Sequence, residues 1–213
     1  MKYVFAPSFA NKVYKILYNP ASQFFYVSVP KNFSFCIPVK TKIPLFFIED
    51  KSPGIPLKQL SNCNLEILSS ALQGISSIII KERDIGISKK KTNQMIINVT
   101  DILSKKSNYI SSILNTDTNL LLKKIKSAKT HLICHGDMNP KSNILFEKKK
   151  NIFILIDFED AFMGPRHFDQ IFFIFYSGKD NWKHLFKDYL NTSLGKQITE
   201  IDIDNVLTWF IIL

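Results

Sequence analysis

Asp137, Asn143 and Asp157 have the residue types and the spacing of a hard-cation site. They lie in residues 131–169, which read HLICHGDMNPKSNILFEKKKNIFILIDFEDAFMGPRHFD. Two short apolar runs, at 132–134 and 152–156, each have the length of a buried strand. Each run delivers acid at its C-terminal end: His135-Gly136-Asp137 after the first, Asp157-Phe158-Glu159-Asp160 after the second. Carboxylates and an Asn beside apolar strands are costly unless they pair or bind a cation. Two Asp and one Asn converging at strand ends supply the oxygen ligands that Mg²⁺ prefers. A third apolar run, 144–146, follows Asn143, and the charged turn 147–151 joins it to the next run, which predicts a β hairpin between the acidic groups.

The rest of the chain must position these groups. Residues 13–18, 24–29 and 44–48 are rich in β-branched and aromatic side chains and read as strands, punctuated by Pro7, Pro20, Pro30, Pro38 and Pro44. Residues 49–56, EDKSPGIP, form a Pro/Gly turn segment and the best linker. Helical signals follow it. Asn62 or Asn64 can cap a helix in which Leu65, Leu68, Leu72, Ile75 and Ile79 share one face. Residues 81–92 read as a polar connection. Residues 95–103 and 110–125 carry two further helical patterns, with a break or cap at 115–118. A buried helix is expected at 168–176, beginning near Asp169, and a helical tail at 182–190 and 202–213. The last eight residues, VLTWFIIL, carry no helix stop signal, which suggests a helix or chain cut short. The expected fold class is α+β, with a small β-rich part over 1–56 and a mainly helical part over 57–213 that holds the hairpin.

Composition bounds the function classes. With 46% hydrophobic and 22% charged residues, the 213-residue chain is globular rather than disordered. The net charge of +10 favours anionic partners, but the lysines are dispersed in short clusters that read as solvated faces. No basic-aromatic nucleic-acid module is present, so no nucleic-acid partner is expected. Cys36, Cys63 and Cys134 lie in no metal spacing and read as buried thiols of a reducing compartment. Pro7 and polar residues interrupt any leader, and 67–80 is shorter than the roughly 18 apolar residues of a membrane span. A soluble, cytoplasmic protein is expected. His131, His167 and His184 read as surface or packing residues.

The motifs taken together carry a resemblance. His135-Gly136-Asp137, Asn143-Ile144-Leu145, Ile156-Asp157-Phe158-Glu159-Asp160-Ala161, Gly164-Pro165 and Phe168-Asp169 stand in the order seen in the aminoglycoside phosphotransferase and choline/ethanolamine kinase family. Asp157 follows Asp137 by 20 residues, about the family interval. Residues 9–15, FANKVYK, are similar to a choline kinase pattern, and 46–57 resembles the family's hinge strand with its Pro-Gly turn. The resemblance implies a protein-kinase-like fold with a reduced N-terminal lobe and a catalytic hairpin in the C-terminal lobe. It implies ATP and Mg²⁺ as cofactors and a small-molecule alcohol as acceptor, choline or ethanolamine ahead of an aminoglycoside. It assigns Asp137 as the catalytic carboxylate, Asn143 and Asp157 as metal ligands, and His135 and Asp169 as supports of the loop. Phe47, Ile48, Glu49 and Asp50 would meet adenine. Glu159, Trp182 and Trp209 are possible acceptor contacts.

Three departures bear on activity. Asn143 stands six residues after Asp137, one more than the five of the kinase pattern. The phosphate-gripping cation expected after the strand at 24–29 is missing, which leaves Lys12 or Lys15 to substitute. The N-terminal part is also short. A degenerate, non-catalytic kinase-like protein is therefore the alternative reading.

Overall fold

Apolar runs of three to five residues are too short to bury a helical face and become strands here. The computed structural model describes residues 2–6, 15–19, 24–28, 33–34, 47–48, 54–59, 64–82, 86–106, 112, 117–127 and 132–212. Its strands are β1 (Lys2–Ala6), β2 (Lys15–Asn19), β3 (Phe24–Ser28), β4 (Phe33–Ser34), β5 (Phe47–Ile48), β6 (Ile55–Pro56), β7 (Ile78–Glu82), β8 (Leu132–Cys134), β9 (Ile144–Glu147), β10 (Ile152–Leu155) and β11 (Phe162–Gly164). Its helices are α1 (Leu65–Ser77), α2 (Gly86–Lys105), α3 (Thr118–Ser127), α4 (Phe168–Tyr176), α5 (Trp182–Asn191) and α6 (Glu200–Ile212). The architecture is mixed α+β, as expected. No described helix is long and apolar enough to cross a membrane.

A hairpin forms from the two expected runs. β9 and β10 pair antiparallel with Leu155 opposite Ile144 and Phe153 opposite Phe146. The turn between them is closed by the Asn151 and Lys150 amides, which donate to the Lys148 and Glu147 carbonyls. Ile144, Leu145, Phe153, Ile154 and Leu155 are all buried, so both faces of the hairpin are covered and its sequence runs apolar instead of alternating. The hairpin is the centre of a five-stranded sheet in the order β3-β2-β10-β9-β6. β2 lies antiparallel to β10, with Tyr18 opposite Phe153. Strands from before and after the 49–56 segment thus share one sheet. A four-stranded sheet runs β1-β7-β8-β11, and β4 pairs with β5 alone.

Two helix boundaries differ from the sequence reading. The face drawn through Ile79 stops early: α1 ends at Ser77, and Ile78–Glu82 is β7, paired with β1 and β8. Three consecutive isoleucines are stiff at χ1 and favour a strand. Ser76 and Ser77 turn their hydroxyls back onto the Leu72 and Gly74 carbonyls and finish the helix. The polar connection expected over 81–92 is largely the first turns of α2, since lysine is a good helix former and Thr92 is buried. The cap of α1 is Asn64, whose Oδ1 accepts the Ile67 amide at 3.0 Å; Asn62 lies outside the described residues. Cys134 is buried as expected, whereas Cys36 and Cys63 lie outside the described residues.

Candidate active site

Three elements end at one place. β8 leads into His135-Gly136-Asp137, β10 leads through Ile156 into Asp157, and α4 begins at Phe168 with Asp169 in its first turn. The turn after β8 requires its glycine. Gly136 has φ +89°, and a Cβ there would stand 2.3 Å from the Asp160 carbonyl oxygen.

Asp169 holds this turn from beneath. Its Oδ2 accepts the His135 amide at 2.8 Å and its Oδ1 accepts the Gly136 amide at 3.2 Å. Burial pushes the carboxyl up to about 6, and the two amides oppose that rise. His135 ties the turn to the hairpin. Its Nε2 lies 2.7 Å from the Ile156 carbonyl, which can only accept, so the ring proton sits on Nε2. Nδ1 is then free to accept the Asp137 amide at 3.3 Å. Burial brings the His135 pKa down to about 4, and the neutral tautomer satisfies both bonds. Phe158 packs on the imidazole at 4.4 Å between ring centroids.

The six-residue step from Asp137 to Asn143 is taken up in one turn. The Asn143 and Ser142 amides donate to the Asn139 carbonyl at 2.9 and 3.2 Å, and the Asn139 side chain accepts the Lys141 amide. Asn143 therefore swings back. Its Nδ2 donates to Asp137 Oδ2 at 2.7 Å and to the Asp137 carbonyl at 3.0 Å. Both partners only accept, which orients the amide and leaves Asn143 Oδ1 as its remaining donor atom for a cation. The Lys58 amide donates to the Pro140 carbonyl at 3.0 Å and fixes the outer side of the loop.

Asp157 sits in the left-handed region, with φ 64° and ψ 64°, and makes no side-chain bond to cap the short 3₁₀ turn Phe158–Asp160 that follows. Strained backbone of this kind gathers at functional sites, and Asp is among the residues that tolerate it. The local field is negative. The Asp137 carboxyl is raised first by burial and then by Asp160 and Asp157, against the hydrogen bond from Asn143. A carboxylate raised by its acidic neighbours is relieved by a bound cation. No three His, Cys, Asp or Glu side chains group as a metal site among the described residues. Asp157 and Asn143 Oδ1 are the oxygen atoms that could hold a cation here, with the rest of its shell left to a phosphate or water. That suits Mg²⁺, which is commonly held by one or two carboxylates together with phosphates.

Residues 113–201 match the phosphotransferase enzyme family. The matched segment contains β8, the Asp137 loop, the hairpin, Asp157 and Asp169, so the resemblance read from the motifs is borne out at family level. Comparison with curated proteins and with solved structures finds no match.

The other predicted site residues are placed as follows. Trp209 is fully buried and stacks on Phe162 at 5.0 Å, which makes it a core residue and not an acceptor contact. Trp182 lines a groove with Phe175 and Phe186. Phe47 and Ile48 form β5, and Lys15 is the first residue of β2, opposite Ser28. Glu49, Asp50 and the Glu159 side chain lie outside what is described. Sequence reasoning missed Lys91 and Thr92. Lys91 Nζ pairs with Asp160 at 3.5 Å, and the Thr92 hydroxyl accepts the Met163 amide at 2.8 Å and donates to its carbonyl at 3.1 Å. Both contacts span about 70 positions of chain, as separations of 69 and 71 residues. No local pattern could signal them.

Proposed function

We propose that this protein transfers the γ-phosphoryl group of ATP, with Mg²⁺, to the hydroxyl of a small amino alcohol of the choline or ethanolamine type. The observation that supports transfer most directly is the Asn143 amide on the Asp137 carboxylate. Phosphoryl transfer asks a protein for positioning and charge neutralisation rather than covalent chemistry. Asp137 orients the acceptor hydroxyl and takes its proton as the bond to phosphorus forms. Asn143 fixes the Asp137 rotamer and, with Asp157, holds the cation. His135 and Asp169 keep the loop in place from behind. Bound Mg²⁺ would neutralise charge on the phosphates. Phe47 to Asp50 would meet adenine, and Lys15 would stand in for the missing phosphate grip. Preference for choline or ethanolamine over an aminoglycoside rests on the similarity of residues 11–14.

The test is ATP turnover over choline, ethanolamine, thiamine and an aminoglycoside, with and without Mg²⁺. Asp137→Asn should lower turnover by about 10²- to 10⁴-fold, the usual worth of a positioned general base, with melting unchanged to within a few degrees. Absence of product with every acceptor, with Asp137→Asn indistinguishable from the parent, would reject catalysis. The missing phosphate-gripping cation favours a second reading, a non-catalytic relative. In that case MgATP would stabilise no more than ATP with chelator. An enzyme gains about 2.7 kcal/mol at a hundredfold excess of MgATP over Kd.

A further inference from the structure

We propose that the groove between α4 and α5 is a second binding site, one that takes a small amphiphile with an apolar body and an anionic head. The inference stands apart from phosphoryl transfer. Ile171, Ile174, Phe175 and Gly178 recur at helical spacing along α4 and just beyond it, and Trp182 and Phe186 recur along α5. Side chains in this pattern ordinarily close into a core. Here they line a groove of about 520 Å³, within the usual size of a small-molecule site. Phe175 remains 75% exposed and Trp182 45%. Such a wall of aromatic and branched side chains gains by burying a hydrocarbon or ring.

The charge at the rim decides the head group. No carboxylate is among the lining residues, and Lys179 is one of them. Lys183 places its Nζ 5.8 Å from the centre of the Trp182 ring. Lys58 reaches the turn between the helices, where a Cβ on Gly178 would stand 3.5 Å from its Nζ. Among the described residues none of these three lysines takes part in an ion pair. Lys179 in the lining and Lys58 and Lys183 near it complement a carboxylate, sulfate or phosphate head and disfavour a cationic one. They also disfavour a second copy of the chain, because each copy carries a net charge of +10 and a twofold contact would set lysines against lysines.

Trp182 reports on the groove, and Trp209 is fully buried. Intrinsic fluorescence of the full chain is titrated with decanoate, decanol and decyltrimethylammonium, each below its micelle concentration. Decanoate should give a saturable change at least about tenfold tighter than the cationic amphiphile, a difference near 1.4 kcal/mol. Trp182→Phe should abolish the signal. Lys179→Glu with Lys183→Glu, both at exposed positions, should remove or reverse the preference while decanol binding stays the same. Equal affinity for the three heads, a signal that survives Trp182→Phe, or no saturation would overturn the proposal. So would binding to anionic phospholipid vesicles without binding of monomeric decanoate, which assigns the face to a membrane surface. A dimer on gel filtration that Phe175→Glu dissolves assigns it to a second copy and equally overturns the proposal.

Discussion

Asp169 and the two buried histidines load the stability of this protein onto mildly acid pH, with opposite signs. In the fold Asp169 titrates at about 6 against an ordinary 3.8, so between those values the native state keeps a proton that the unfolded chain has lost. Its contribution to stability falls as pH rises through that window. His135 and His167 are brought down to about 4 from 6.5 by burial, so the unfolded chain takes up protons that the folded one refuses. Their contribution falls as pH drops from 6.5 towards 4. Two histidines outweigh one aspartate, and the protein should lose stability on acidification. Denaturant unfolding between pH 4 and 7 should show that loss, and Asp169→Asn should steepen it. An unchanged slope in the variant would contradict the assignment. Asn can accept only one of the two amides that Asp169 holds, so a lost hydrogen bond of about 1–3 kcal/mol adds to that pH-dependent difference.

At the scale of elements, α2 and β11 form a clamp. β11 pairs with β8 along one edge, and the Thr92 hydroxyl satisfies both the amide and the carbonyl of Met163. The segment from Asp157 to β11 is thereby held at both ends, by the hairpin before it and by α2 after it. Thr92→Val keeps the shape and removes both bonds, leaving a donor and an acceptor without partners. The expected cost is about 1–3 kcal/mol by denaturant unfolding. Lys91→Met, one position earlier, removes an ion pair whose Asp160 side is 61% exposed, and should change stability by less than about 1 kcal/mol. If the two losses came out alike, the hydrogen-bonded clamp would not be what holds this segment.

Across the whole molecule, aromatic packing joins the helical tail to the sheet that carries the site. Trp209 stacks on Phe162 of β11, and Phe210 lies against Phe168 and Phe172 of α4 at 5.3 and 5.8 Å. α6 also meets α3 through the exposed pair Lys124–Asp204 at 2.6 Å. Trp209→Ala should cost about 3–5 kcal/mol, the range for emptying a large buried aromatic site. Lys124→Ala should cost less than about 1 kcal/mol. Because Asp169 lies in the first turn of α4, loosening α6 should reach the loop of Asp137. Hydrogen exchange at the Gly136 amide in Trp209→Ala, compared with the parent, measures that coupling.

Much of the chemistry was legible in the chain. Short apolar runs that end in Asp and are bounded by turn residues have few foldings open to them, and β8, β9 and β10 formed where that pattern put them. α4 and α5 began where their apolar period began. What local pattern could not reach was partnership. Nothing in residues 15–19 says that β2 will lie on β10, and nothing near Lys91 or Thr92 points to Asp160 or Met163. Ile79 continues the apolar face of α1 in sequence, and the strand preference of Ile78 to Ile80 prevails where β1 and β8 offer their edges. The extra residue between Asp137 and Asn143 counted against the site in sequence. In the fold an α-turn on the Asn139 carbonyl absorbs it and returns the Asn143 amide to Asp137. Composition and spacing are local and survive in the unfolded chain, so they select residue types and element types. Strand partners, buried charges and loop closures depend on atoms far apart in sequence, and only tertiary packing decides them.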